Sequence, residues 1–209
     1  MKNKLASLFA ITGLALAATQ AQADSLVDGS IEDGKAKSLT CTACHGPEGN
    51  SVSPMWPNIA GQNAPYLLAQ LEAFKEGSRT DPLMSAQAMM LSDQDMADLA
   101  VYFESLPAAA QSVKDASTVS RGEALYRGGN TESGVSACLA CHGPTGRGNP
   151  AAKYPALQGQ HADYTAKQLN DYASGARATD GKTRMMRDIA GRLSKEDIAA
   201  LSSYVQGLK

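Results

Sequence analysis

Aromatic side chains are scarce in this chain, with three Phe, one Trp and seven Tyr among 209 residues. A length of this order suits one domain or two. Two domains of about 90 residues each would have thin cores, because small domains bury a modest share of their surface, so some further apolar mass is expected. Alternating apolar and polar runs of the strand type are also missing, which excludes a fold built mainly on β-sheet. Only one long apolar run occurs, Leu5 to Ala18, and no second run of membrane-spanning length follows it. Cysteine is limited to four residues and histidine to three.

The single apolar run has a basic start, Met1-Lys2-Asn3-Lys4, and ends near the small-residue stretch Ala21-Gln22-Ala23. It is shorter than the ~20 residues that cross a bilayer. The pattern reads as a secretory signal over 1–23, cleaved after Ala23. The mature chain then begins at Asp24 and is expected in the bacterial periplasm, soluble or loosely attached to a membrane face. An exported chain without an overall basic stretch has no nucleic-acid partner.

All four cysteines lie in two copies of Cys-x-x-Cys-His: Cys41-Thr-Ala-Cys44-His45 and Cys138-Leu-Ala-Cys141-His142. Two thiols at this spacing can each add to a vinyl group of one porphyrin, and the next residue places an imidazole under the iron. Zinc is a rival reading of paired C-x-x-C units, but 94 positions separate Cys44 from Cys138, against about 15 to 20 in a zinc ribbon. A thioredoxin-like pair needs one motif in a βαβ setting, and disulfides leave the histidine after each pair unexplained. Two covalently bound haem c groups are therefore expected, and they supply the missing apolar mass.

The motifs belong to a longer internal repeat. Cys41 matches Cys138 at an offset of 97, and Pro57-Asn-Ile-Ala-Gly61-Gln62 matches Pro155-Ala-Leu-Gln-Gly159-Gln160 at 98. Tyr66, Gln70, Leu71, Gly77 and Arg79 then fall on Tyr164, Gln168, Leu169, Gly175 and Arg177. Leu91-Ser92-x-x-Asp95 and Tyr102 meet Leu193-Ser194-x-x-Asp197 and Tyr204 at 102. Each unit reads as helices. Ser30 with Asp33, and Ser120 with Glu123, resemble caps before each motif. A second helix runs from about Pro65 to Glu76 and from Ala162 to Ser174, each ended by glycine. The third starts at Ser92 or Ser194, with Met96, Leu99, Tyr102, Phe103 and Ile198, Leu201, Tyr204, Val205 on its apolar face. The expected organisation is a first domain over 24–106, a Pro/Ala/Ser-rich linker over 107–117 and a second domain over 118–209.

Whether a second protein ligand closes the iron decides between electron transfer and chemistry on a small molecule. Of eight methionines, only Met84 and Met186 coincide in the repeat, each eight residues before the serine that opens the last helix. A lone methionine reads as core packing; a coincident pair, 39 and 44 residues after the motif histidines, reads as ligands. His161, matched by Asn63, is the rival, and its position just before a helix reads as a boundary residue.

In these residues the chain resembles the class I c-type cytochromes, specifically the dihaem cytochrome c4 type. The likeness runs from about residue 28 to the end and is carried by CTACHGPEGN and CLACHGPTGRGN, the two P-x-[IL]-x-G-Q segments and the two Met-x7-Ser-x-x-Asp segments. The resemblance implies an all-α fold of two tandem haem domains related by a pseudo-twofold axis. It also implies His/Met ligation and transfer of single electrons toward a terminal oxidase or a reductase of nitrogen oxides. By position, Cys41, Cys44, His45 and Met84 serve haem 1, and Cys138, Cys141, His142 and Met186 serve haem 2. Pro57 and Pro155 would hold the imidazole Nδ1–H through their carbonyls, and Arg79 and Arg177 would pair with propionates. The second unit departs in having Met185 beside Met186.

Charge is divided between the units: residues 24–115 hold 5 basic and 13 acidic side chains, and 116–209 hold 12 and 8. Such a dipole can orient a carrier on its redox partner and make association salt-dependent. The leading expectation is a non-enzymatic electron carrier with redox-protein partners, possible peripheral membrane contact and no small-molecule substrate. Two alternatives remain at this stage: a dihaem oxidoreductase of the peroxidase or thiosulfate dehydrogenase type, and a dihaem subunit of a membrane complex. The oxidoreductase would show one half without an axial candidate or a large insertion, and neither occurs.

Overall fold

Ser30 opens the first helix of unit 1 by accepting a hydrogen bond from the Asp33 amide at 3.1 Å, as the capping pattern predicts. The computed structural model describes residues 26–209; the expected signal segment, 1–23, lies outside them. Unit 1 contains α1 (Ile31–Lys37), α2 (Leu39–His45), α3 (Ala64–Glu76), α4 (Pro82–Met89) and α5 (Asp93–Ser105). Unit 2 repeats the order with α6 (Val119–Gly128), α7 (Leu139–His142), α8 (Ala162–Ser174), α9 (Met185–Ala190) and α10 (Lys195–Gly207). Among the described residues there is no strand, only two isolated bridges, and no helix long and apolar enough to cross a membrane. The all-α expectation is borne out.

In each unit the first helix crosses the last, and the middle long helix packs against both the last helix and the short one before it. The crossings require glycine. A Cβ at Gly34 would run into the Asp98 carbonyl oxygen, and one at Gly122 into that of Ala200. The apolar faces expected for the last helices are all buried, Met96 and Leu99 among them in α5, Ile198 and Leu201 in α10. Cys41 packs against the cluster Leu99, Tyr102 and Phe103, and Cys138 against Leu125, Tyr126, Leu201 and Tyr204. The motif helices α2 and α7 are thereby anchored to the cores.

One expected cap is not used. Ser120 lies inside α6, which begins at Val119 after a 3₁₀ turn, Ala116–Thr118, opened by Asp115 accepting from the Ser117 amide. The helix is already running when it reaches Ser120, and Glu123 pairs with Arg127 one turn on, at 2.9 Å. The chain joining the units has no helix before that turn, yet it is tied down. Gln111 Nε2 donates to Gly159 O at 2.9 Å, the Asp115 amide to Ser203 Oγ at 2.7 Å, and Lys114 pairs with Asp163.

Both last helices open with complete capping boxes, Ser92 with Asp95 and Ser194 with Asp197. Ser92→Ala or Ser194→Ala should each lower the unfolding free energy by about 1 kcal/mol in denaturant titrations. Lys37, 2.5 Å from Asp95, and then Ser92 hold the Asp95 carboxyl down to about 2. With the folded value below the unfolded one, its contribution is complete above about pH 4 and is lost as pH falls through about 2. Asp95→Asn should flatten that acid limb of stability against pH.

Candidate haem sites

Each motif histidine ends a short helix and is buried, with its ring held by one bond. His45 Nδ1 donates to the carbonyl of Pro57 at 2.8 Å, and His142 Nδ1 to that of Pro155 at 3.0 Å. The role the resemblance gave the two prolines is thus met by geometry. Burial pushes both imidazoles below their ordinary pKa, and the carbonyls offset this only in part. At neutral pH each ring is therefore uncharged, with its proton on Nδ1 and Nε2 left as the donor for a metal. No protein group bonds either Nε2 among the described residues.

The four cysteines are half-buried and none is paired with another. Burial raises the thiol pKa of Cys41, and that of Cys138 to about 11. No group of three or more His, Cys, Asp or Glu side chains that could hold a metal ion exists among the described residues, so the two C-x-x-C pairs do not converge into a zinc site. Two thiols and a neutral imidazole with a free Nε2, repeated in two separate helices, fit a thioether-bound porphyrin in each unit.

The methionines separate by environment. Met55, Met89 and Met90 are 71%, 70% and 84% exposed, Met185 is 38% exposed, and Met96 is 2% exposed in the core. Met84 and Met186 are partly buried, each in the first turn of the short helix that follows the long middle one. Asp81 caps α4 by accepting from the Leu83 and Met84 amides, both at 3.0 Å. In unit 2, where four more residues carry the repeat offset from 98 to 102, the support differs: Arg184 is left-handed at φ 54°, and Asp180 accepts from the Arg187 amide and Nε at 2.9 and 2.7 Å. The helices α4 and α9 were absent from the sequence reading; Asp81-Pro82, a cap residue followed by proline, was a signal for the first.

His161 is at the boundary of α8, as expected, but its ring crosses to the other unit. Nε2 donates to Ser51 O at 2.9 Å, and Nδ1 accepts from Gln111 Nε2 at 3.4 Å. Its unit 1 counterpart, Asn63, donates across the same junction to Tyr154 O at 2.8 Å.

Arg79 and Arg177 are buried rather than solvated surface residues. Arg79 donates to Gln70 and Gln168 Oε1, both at 2.8 Å, and to Tyr164 OH at 3.0 Å. Arg177 donates to Gln168 and Gln70 Oε1, both at 2.7 Å, and to Tyr66 OH at 2.9 Å. Each guanidinium also lies over an aromatic ring, Phe74 or Tyr172, about 4.5 Å from its centroid. Burial works against ionisation of Tyr66, yet the two cations lower its pKa. No carboxylate pairs with either arginine among the described residues. Arg79→Met removes one of the two donors on each glutamine oxygen and the arginine donor to Tyr164 OH, and Arg177→Met does the same with Tyr66 OH, so each should cost about 1–3 kcal/mol, read in denaturant unfolding together with faster proteolysis between 107 and 117.

The sequence profile of the family described as Cytochrome c matches residues 31–107 and 119–209. Cytochrome c4 of Pseudomonas aeruginosa is 48% identical over 198 residues, covering 95% of this chain and 93% of that protein. A thiosulfate dehydrogenase electron acceptor of Stutzerimonas stutzeri is 34% identical over 174 residues, 79% of this chain and 77% of its own. The crystal structure of reduced recombinant cytochrome c4 from Pseudomonas stutzeri superposes with a TM-score of 0.84 at 46% identity, covering 87% of this chain and 100% of that one.

Proposed function

The chain belongs to the cytochrome c family, as a tandem two-domain protein of the cytochrome c4 kind, and on that footing we propose its ligand set, its domain limits and its place of work. It carries two haem c groups and is an electron carrier, not an enzyme. When bound, haem supplies a one-electron couple.

In the proposed set, Cys41 and Cys44 hold the first haem and Cys138 and Cys141 the second, with His45 and Met84, and His142 and Met186, as axial pairs. The carrying observation is the matched arrangement around the two motifs: a neutral imidazole locked through Nδ1 in each unit, and the one methionine position shared by both units left partly buried. The protein's own part would be to hold each imidazole through its Nδ1–H and to offer a methionine in the same unit, so that electrons could pass with little rearrangement. Arg79 and Arg177 face the propionates in this reading, and those anions provide the counter-charge that the two guanidiniums lack. The limits are a secretory signal over 1–23, a first domain over 24–106, a linker over 107–117 and a second domain over 118–209.

The workplace is the periplasm, and the acceptor a terminal oxidase. What supports distinct docking faces is a double asymmetry. Unit 1 is acidic and carries exposed Leu39, Val52, Met55, Leu83, Met89 and Met90; the repeat matches Met55 and Met90 to Lys153 and Arg192 in the basic unit. Opposite patches of this kind favour a partner of complementary charge and raise its on-rate.

Met84→Ala and Met186→Ala should each open one iron to carbon monoxide in the reduced protein, whereas the parent and Met185→Leu bind little. Strong binding by the parent would contradict the ligand set. Rapid mixing of the reduced carrier with isolated terminal oxidase tests the partner: fast oxidation that slows with salt supports it, and oxidation no faster than in buffer rejects it.

A further inference from the structure

The two proline-to-glutamine segments are crossed. Pro57 and Asn58 share one peptide group, whose carbonyl accepts from His45 Nδ1 at 2.8 Å. The N–H of that same peptide donates to Oε1 of Gln160, from the other unit, at 2.9 Å. The mirror arrangement is present: the Pro155 carbonyl accepts from His142 Nδ1 at 3.0 Å, and the Ala156 N–H donates to Oε1 of Gln62 at 2.8 Å. Each glutamine also donates back. Gln160 Nε2 reaches Asn58 O at 2.8 Å, and Gln62 Nε2 reaches Ala156 O at 2.9 Å.

The amides are fixed as well as paired. Gln62 Oε1 accepts a second bond from the Asn63 N–H at 2.9 Å and Gln160 Oε1 one from the His161 N–H at 3.0 Å. Two backbone donors on each oxygen settle which end of the amide is oxygen. Both glutamines are buried. Each follows a left-handed glycine, Gly61 at φ 66° or Gly159 at φ 67°. Those glycine amides bond the ends of the last helices, at Phe103 O and Val205 O, so the glutamine is launched from the core of its own unit into the other.

We propose that Gln62 and Gln160 are positioning residues that tune, each through one peptide group, the axial imidazole of the opposite unit. The two ends of a peptide polarise together. An acceptor on its N–H draws negative charge onto its carbonyl oxygen, and burial strengthens the effect. The carbonyl then holds Nδ1–H more tightly, which makes Nε2 the more basic donor and favours the ferric iron. The potential of each haem is in this way set partly from the other domain. The inference rests on His45 and His142 being the axial ligands proposed above.

The test uses the holoprotein with Gln160→Met, Gln62→Met and, as the variant that keeps an acceptor oxygen, Gln160→Glu. Two midpoint potentials are read by spectroelectrochemical titration and assigned to their units through the axial-histidine NMR resonances. Gln160→Met should raise the potential of the haem in unit 1 by up to about tenfold in its ferric-to-ferrous equilibrium, which is about 59 mV for one electron, and leave that of unit 2 in place. Gln62→Met should do the reverse, and Gln160→Glu should leave the unit 1 potential at or below the parent value. Shifts confined to the variant's own unit, equal shifts in both, no shift in either, or a rise in Gln160→Glu would overturn the proposal. Failure of the ligand reading is separable, because it would show in the parent as missing axial-histidine resonances from His45 and His142.

Discussion

The meeting of the first and last helices, with no side chain between them, governs each half of the molecule. Gly34 against the backbone of α5, and Gly122 against that of α10, let two helices approach at a distance that any Cβ would forbid. The motif helix follows directly after this crossing in unit 1, so the crossing decides where Cys41 meets Leu99, Tyr102 and Phe103. A displaced crossing would move the thiols relative to the core that receives the porphyrin. Local capping reinforces the same geometry, since Lys37 at the end of α1 pairs with Asp95 in the first turn of α5.

Much of this was legible in the sequence because the repeat compares the chain with itself. The long helices, their caps at Ser92 and Ser194 and the buried faces of α5 and α10 follow from periodicity and capping chemistry alone. The short helices did not. The six-residue α9 starts at a left-handed Arg184 and takes its support from Asp180, so it has neither the length for a periodic signal nor a cap beside it. Ser120 misled for the opposite reason, a local capping pattern in a helix that an earlier turn had already begun. The purposes of Gln62, Gln160, His161 and Arg79 were hidden because their partners lie roughly one unit away along the chain. Spacing shows that such residues recur, but not what they face.

The junction between units is unusually polar for a buried surface. Glutamine, asparagine, histidine, tyrosine and arginine meet there, and nearly every group is bonded to a partner in the other unit. A half-satisfied network of this kind would be less stable than an apolar contact; a complete one specifies a single arrangement. The two guanidiniums stand out because their partners are neutral oxygens. Bringing like charges together without a carboxylate is costly, and in the proposed reading the haem propionates would offset that cost.

The junction is also self-complementary. Gln62 grips Ala156 as Gln160 grips Asn58, and Arg79 shares Gln70 and Gln168 with Arg177. Residue i meets j while the equivalent of i meets the equivalent of j, which is the defining property of an isologous contact between identical subunits. The molecule thus has the internal geometry of a homodimer whose two protomers have been joined end to end. Fusion frees such a pair from the requirement that both partners stay alike: acidic and basic residues, or Asn63 and His161, can diverge at matched positions while the grip between the halves is kept.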